Sequence, residues 1–457
     1  MRLPSGLLLL AVLAACAGPR PEAPLTAAVE PPPAWRGPDT PGGTVDAAWW
    51  RAFGDPVLTR VVDLALANNT DALVAASRVA EARAQYHLAE AQRLPNVVAA
   101  AGGGRQRDVS PFGQPRQQTA GQWQASASYD LDLFGRLADA SEAARATLLA
   151  TEAARDNVRL AVASSAAAGY IGLRALDARL AVIRRTLAAR EASLHLAQRR
   201  AETGYAAQLD LAQAQAEYEA TAQLIPPTLL AITRQEDGLS LLLGDNPRAI
   251  ERGADLADLS PPAVPAGLPA DLLLRRRPDI AQAEQQVAAA DHALDAARAA
   301  FMPDVQLSAA GGTVVSSLID PVNVFSLGGS ILAPLFDSGR LRAQADTAAA
   351  RRDAAAFAYR KAALTAFRDV EDGLATVRRS AEQEEALLRQ RDALARTLAI
   401  ATSRYRAGYS PYLEQLDAER GLLSAELALV QSRADRLAAA ITLAQALGGG
   451  WTPPPSP

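Results

Sequence analysis

One cysteine in 457 residues excludes an internal disulfide and every cysteine-cluster metal site. The three histidines, His87, His195 and His292, stand singly in charge-rich helical stretches, which argues against a histidine zinc site. Aromatics make up 5% and methionines number two, so the 49% hydrophobic content is mostly alanine and leucine. Those two lead the helix-propensity ranking and favour long helices over thick globular cores. Charge of one sign is missing as well. The 46 basic and 50 acidic residues nearly cancel at −4, without the basic stripe a nucleic-acid partner needs. Lysine occurs once against 45 arginines, which reads as codon bias. No stretch beyond the N-terminus reaches 18 uncharged apolar residues, so no transmembrane helix is expected. There is no P-loop, GxGxxG, GxSxG or metal-ligand cluster. Gly102-Gly103-Gly104 precedes no helix and has no phosphate-loop lysine. No catalytic residue, cofactor or metal is expected.

The N-terminus is where the one cysteine stands. Arg2 is a short basic region, and Leu7 to Ala15 is an apolar run of nine. A membrane-spanning helix needs about 20 residues, so this run targets rather than anchors. It ends in Leu13-Ala14-Ala15-Cys16, the lipobox pattern in which the cysteine is lipidated and becomes the mature N-terminus. Acyl chains contribute about 0.8 kcal/mol per buried CH₂, so several anchor firmly. Ala17 follows where an aspartate often retains lipoproteins in the inner membrane, which favours the outer one. Residues 17–43 hold eight prolines and read as an extended tether. Pro453-Pro454-Pro455 reads as a second unstructured end.

The chain is internally duplicated. Leu133-Phe134-Gly135-Arg136-Leu137 matches Leu335-Phe336 with Gly339-Arg340-Leu341. Thr203-Gly204-Tyr205 matches Ala407-Gly408-Tyr409, and Leu243-Gly244 matches Leu447-Gly448. All three glycine pairs are 204 residues apart. Leu94-Pro95-Asn96-Val97 matches Met302-Pro303-Asp304-Val305 at an offset of 208, the difference being absorbed by a loop. A period near 200 is too long for a solenoid and indicates two copies of a structural half. Each half predicts a helix running to a proline (57–94; 271–302) and two short strands. A long proline-free helix (138–202; 339–407), a Gly-Tyr turn and a returning helix (208–244; 411–447) complete it. A stretch of 65 residues would be about 100 Å long at the α-helical rise.

Residues 122–133 alternate strictly. Trp123, Ala125, Ala127, Tyr129, Leu131 and Leu133 fall on one face, and Gln122, Gln124, Ser126, Ser128, Asp130 and Asp132 on the other. Val305-Leu307-Ala309 and Phe325-Leu327-Ile331 repeat the pattern less cleanly, and 97–106 is weak. A soluble half-buried sheet alternates the same way, but the lipobox and the long helices favour a lipid-facing and lumen-facing strand. Four strands cannot close a barrel, and an open edge is not tolerated in lipid. Three chains would supply about 12 strands and room for a pore.

These residues resemble the outer-membrane efflux proteins, TolC-like outer-membrane factors, in the lipoprotein branch paired with resistance-nodulation-division pumps. The resemblance covers nearly the whole mature chain. It rests on Trp49-Trp50-Arg51 with Phe53-Gly54-Asp55-Pro56, on Arg276-Arg277-Pro278-Asp279-Ile280, and on Pro334-Leu335-Phe336-Asp337-Ser338-Gly339-Arg340. Tyr405-Arg406-Ala407-Gly408-Tyr409, Leu416-Asp417-Ala418-Glu419-Arg420 and Ala446-Leu447-Gly448-Gly449-Gly450-Trp451 complete it. The implied fold is mainly α with a membrane β-barrel. The duplicated protomer carries two β-hairpins and long α-helical coiled-coil hairpins, and a trimer forms a 12-stranded barrel and a 12-helix α-barrel. The expected organisation is a lipoprotein signal at 1–15 and, at 16–54, a lipid-anchored tether ending in the Trp-Trp-Arg motif. A first repeat at 55–262 (hairpin 95–133, helical hairpin 138–244) and a second at 263–451 (hairpin 303–336, helical hairpin 339–447) follow, then a tail at 452–457.

The resemblance implies a passive exit duct in the outer membrane for drugs, toxic small molecules or metal ions. The implied partners are a periplasmic membrane-fusion adaptor, an inner-membrane resistance-nodulation-division transporter and outer-membrane lipid. Leu413, Asp417 and Arg420 are spaced to share one helical face. In relatives a leucine ring occludes the lumen there, and aspartate and arginine pair to hold the coils shut. Glu414 falls where some relatives carry a further acid, Asp210 is its repeat partner, and Tyr405 falls on a tyrosine that ties neighbouring coils together. A solvated helix face is the plain alternative for these charges. Gly204, Tyr205, Gly408 and Tyr409 fall on the tips that meet the adaptor in relatives. Ala206, Ala207 and Ser410 would allow close approach, and Pro411 departs from many relatives. Asp130 and Asp132 are expected to face the barrel lumen, with a preference for cations. Cys16 is the expected lipid anchor. Two other readings stand beside this one: the outer-membrane channel of a type I protein secretion system, and a non-conducting lipoprotein that bridges envelope layers.

Overall fold

The computed structural model describes residues 19–36, 45–204, 207–262, 273–317 and 319–452. Segment 1–15, Cys16, Tyr205 and the tail beyond 452 lie outside them. The chain divides into two compact units. One comprises residues up to 28 with 77–152 and 282–361; the other comprises 29–76, 153–281 and 362–457.

The first unit holds one four-stranded antiparallel sheet of β1 (Asn96–Val109), β2 (Pro115–Asp130), β3 (Asp304–Ser316) and β4 (Ile319–Leu332), in that order. The weak segment 97–106 is thus part of a full strand. Trp123 stands opposite Ala101 on one side and Thr313 on the other, and Thr313 opposite Asn323. Odd-numbered residues of β1, β2 and β3, and of β4 from Val322 onward, therefore share a face, because side chains alternate with period two; before Val322 a bulge shifts the register, so that Ile319 stands opposite Ser316. That face carries Val97, Trp123, Tyr129, Leu307, Phe325, Leu327 and Ile331. The opposite face carries Gln122, Gln124, Ser126, Ser128, Asp130, Gln306 and Ser308. Phe325 and Leu327 are 90% and 86% exposed within this chain, and among the described residues β1 and β4 each have a neighbour on one side only.

Strand β2 ends at Asp130, before the predicted 133. This corrects Asp132, which is not a lumen-facing strand residue. Its backbone is left-handed, with φ 46°, and its carboxylate accepts from the N–H groups of Leu137 (3.0 Å) and Ala138 (2.7 Å). Asp132 thereby satisfies the otherwise orphaned first donors of α3 (Arg136–Glu202). Asp337 does the same for α7 (Arg340–Arg406), accepting from Leu341 N–H at 2.8 Å. Each of these helices has 67 residues and is about 100 Å long.

The proline-rich segment is also less free than its composition predicts. Arg20 pairs with Asp291 and Asp295 of α6 (Pro278–Ala299), and Arg298 donates to Pro19 O. Arg352 donates to Pro21 O and Glu22 O, and Arg360 to Thr26 O and Ala28 O. The segment is extended apart from a short 3-10 turn at Leu25–Ala27, and carbonyls that extended chain leaves unpaired are open to guanidinium donors.

The second unit is helical. The predicted helix 57–94 is broken into α1 (Pro56–Asn68) and α2 (Thr70–Ala91). Asn69 makes the break: its backbone is extended, and its side-chain oxygen accepts from Asp71 and Ala72 N–H as the cap of α2. The predicted helix 208–244 is likewise two, α4 (Gln208–Ala222) and α5 (Ile225–Leu242). Pro226 and Pro227 lack the N–H that a helix interior needs. The second repeat has Val430 and Gln431 there, and α8 (Tyr412–Ala446) runs unbroken. Trp49, Trp50, Phe53, Leu58, Tyr170, Leu239, Leu437 and Ile441 belong to the core of this unit.

The motifs of the second half have structural work there. Arg277 donates to Asp279 at 2.7 Å and to the Ala446 carbonyl at the end of α8 at 3.0 Å. Gly448, at φ 86°, leaves no room for a Cβ against Arg276 O. Trp451 Nε1 donates to Asp156 at 3.0 Å.

Candidate functional site: the helical tips

Two turns join the long helices to their returning partners. Gly204 and Gly408 have φ of 75° and 76°, the left-handed conformation that glycine adopts without strain. Tyr409 is 79% exposed at its turn. Helices α4 and α8 both begin without a side-chain cap, at Ala207 and Pro411. Asp210 and Glu414 stand in their first turns, where a carboxylate is favoured by the helix dipole.

Helix α8 has two contrasting faces near this tip. Tyr412 and Leu416 are buried with Tyr405, Ala197 and Ala214. The Tyr405 and Tyr412 rings are 5.3 Å apart, and the Arg200 guanidinium lies 4.9 Å above the Tyr405 ring. The Tyr405 hydroxyl is buried with no hydrogen-bond partner among the described residues. Leu413, Glu414 and Asp417 are exposed, and Arg420 is 54% exposed. Leu413, Asp417 and Arg420 thus line the open face.

Arg420 does not reach Asp417. Its Nε donates to Glu217 Oε1 at 2.8 Å, joining α8 to α4. Glu217 is buried and also binds Arg190 of α3 at 2.8 Å, so one carboxylate ties together three helices. Close by, Gln415 donates to Glu419 at 2.7 Å, while Glu419 Oε2 and Gln415 Oε1 stay buried without partners among the described residues. Burial pushes the Glu419 carboxyl above its ordinary range.

Sequence reasoning missed Arg190, Glu217, Gln415 and Glu419. The signal lay in comparing the two copies. Arg190 and Glu217 correspond to Leu394 and Gly421, so both charges enter one copy together. Asp130 is the last residue of β2 and pairs with Arg136 at 2.8 Å. Among the described residues no group of histidine, cysteine or acidic side chains is arranged to hold a metal, and no helix is long and apolar enough to cross a membrane.

The outer membrane efflux protein family model matches residues 61–245 and 270–449, one segment in each repeat. The chain is 37% identical over 409 residues to the solvent efflux pump outer membrane protein SrpC of Pseudomonas putida, covering 88% of this chain and 87% of that protein. It is 35% identical over 426 residues to outer membrane protein OprJ of Pseudomonas aeruginosa, covering 90% and 88%. The solved outer-membrane channel OprN superposes with a TM-score of 0.87 at 30% identity, over 95% of this chain and 99% of that one. A duplicated, mainly helical protomer with a four-stranded sheet, together with these relatives, defines the class: a family of outer-membrane efflux channels. The chain belongs to the outer membrane efflux protein family, and its place is the outer membrane.

Proposed function

We propose that three copies of this chain form the exit duct of a tripartite efflux pump. The single observation that carries the reading is the sheet. One face carries exposed Val97, Trp123, Leu307, Phe325, Leu327 and Ile331 across four strands, the other carries Gln122, Gln124, Ser126, Gln306 and Ser308, and among the described residues both edge strands lack a second neighbour. Such a sheet is stable in lipid only when closed by further copies. Three copies supply 12 strands, and the 67-residue helices carry the conduit on from the barrel. Cys16 is the lipid anchor, and the docked segment from residue 19 onward holds the protomer to it. The tips at Gly204, Tyr205, Gly408 and Tyr409 meet a periplasmic adaptor, which links the duct to an inner-membrane transporter. The chain supplies no energy, and transport through it is passive.

The gate is the open face of α8, with Leu413 as the apolar constriction, Asp417 and Glu414 as its charge, and Asp210 and Tyr405 beside them. Arg420 holds this face closed through Glu217. Purified protein in planar bilayers tests the reading: cross-linking should give a trimer, and the wild type should show a small resting conductance. Asp417→Ala with Arg420→Ala should raise it. An unchanged conductance refutes the gate, and the absence of any channel refutes the duct.

A further inference from the structure

The strand register fixes more than which face is apolar. Arg105 stands opposite Thr119 and Arg107 opposite Gln117, so both arginines share the odd-numbered face with Trp123, Phe325 and Leu327. Across the described residues of β1, β2, β3 and β4 from Val322 onward they are the only charged side chains on that face. Asp108, Arg116, Asp130 and Asp304 have even numbers and belong to the other, and Asp320 lies beyond the bulge that shifts the register of β4. Both arginines are exposed, and among the described residues neither side chain has a hydrogen bond or a carboxylate partner.

Their height is set as well. Ala101 is level with Trp123, and Arg105 and Arg107 lie about 14 and 20 Å further along the strand, toward the Ser110–Gln114 turn. Tryptophan on the lipid side of a barrel marks the membrane–water interface. With a strand tilt of about 40°, the two guanidinium groups stand roughly 10–16 Å beyond that girdle, on the side away from the helices. A cation there stands at the outer edge of the headgroup layer, where a flexible arginine side chain can reach an anion among the headgroups. The planar guanidinium matches phosphate oxygens in bidentate fashion.

We propose that Arg105 and Arg107 bind the phosphate groups of a phosphorylated glycolipid in the outer leaflet. The inference rests on the barrel reading above, which makes the odd-numbered face the lipid side. Two such arginines per chain place a ring of cations around the distal rim. The ring fixes the depth of the barrel and seals its wall against the headgroups.

The test uses the full-length protein as its native oligomer in nanodiscs containing lipid A, a bisphosphorylated glycolipid, in a phosphatidylcholine background. Native mass spectrometry counts the lipid A retained after washing at high salt. Wild type should retain it, and R105Q/R107Q should retain about tenfold less, the factor expected for losing charge-assisted phosphate contacts. R105K/R107K should retain part, because the charge remains. R116Q, on the opposite face, should match wild type. Equal retention by R105Q/R107Q, or equal loss in R116Q, overturns the proposal. So does equal retention of a dephosphorylated lipid A. Conductance on the same samples separates the two readings. A variant set that conducts but shows no phosphate dependence refutes this site alone, whereas a protein that neither inserts nor conducts refutes the barrel and the site together.

Discussion

Arg190 and Glu217 form a 2.8 Å ion pair between α3 and α4, both side chains buried, where the duplication places Leu394 and Gly421 in α7 and α8. Space at Gly421 would bring a Cβ to 3.2 Å from Leu394, so the corresponding pair also face each other. One copy of the hairpin is held by charge and the other by apolar contact at the same place. Removing one partner of a buried pair costs about 3–5 kcal/mol, whereas replacing both by apolar residues is often neutral or stabilising. Glu217→Ala should therefore lower the unfolding midpoint markedly. Arg190→Leu with Glu217→Ala should recover most of that loss. Far-UV circular dichroism during thermal or urea unfolding measures both.

The legible part of the molecule was whatever has a period. The two repeats, the 67-residue helices and the one-sided strands follow from spacing alone. The breaks did not, because each rests on a single side chain. Asn69 caps a helix that its neighbours would have continued, and Pro226-Pro227 stand in one copy only. Asp132 obeyed the alternation of β2, yet the chain had already turned, and its carboxylate serves the next helix. At the tip, the exposed face of Leu413, Asp417 and Arg420 was readable from helical geometry. The partner of Arg420 was not, since Glu217 lies 203 residues away and its role depends on how α4 returns beside α8.

Tyr170 and Asp55 provide a second test. The Tyr170 hydroxyl donates to Asp55 Oδ2 at 2.9 Å and accepts from Gly253 N–H at 2.8 Å. Asp55 also accepts from Val57 N–H at 2.7 Å and Ala254 N–H at 3.1 Å, so a motif residue joins α1 to the loop after α5. Tyr170→Phe leaves the Gly253 N–H without its acceptor and Asp55 without one donor. That should cost about 1–3 kcal/mol, read from the shift in urea midpoint at unchanged slope. Burial pushes the Tyr170 hydroxyl up to about 12, so it stays protonated across the physiological range and the cost should be constant there.

Glu419 makes stability pH-dependent in a direction opposite to that of a salt-bridged acid. Its folded pKa is raised by burial, so the folded state binds a proton more readily than the unfolded chain. Below the unfolded value, near 4.5, both states are protonated and the residue costs nothing. As pH rises through the unfolded value toward the folded one, stability is lost, and the loss is complete above the folded pKa. Glu419→Gln keeps the acceptor for Gln415 and adds a donor beside the unpartnered Gln415 Oε1. The variant should therefore melt higher than wild type at pH 7 and at the same temperature at pH 4. A difference that persists unchanged at pH 4 would assign the effect to packing instead.

The gate makes a prediction about additivity. If Arg420 holds the open face of α8 through Glu217, then removing either end breaks the same link. Arg420 is half exposed, so the contact contributes about 0.5–1.5 kcal/mol to the closed state. That corresponds to a rise of about two- to tenfold in open population. Glu217→Gln keeps the shape and the acceptor for Arg190 while removing the charge that draws Arg420. It should leak as Arg420→Ala does, and the double variant should leak little more than either, because residues in one network are non-additive. Asp417→Ala lies outside that link and should add to Arg420→Ala. Single-channel recording of these three single and two double variants separates the two patterns. Full additivity of Glu217→Gln with Arg420→Ala would mean that Arg420 acts in the gate through a group on a neighbouring protomer.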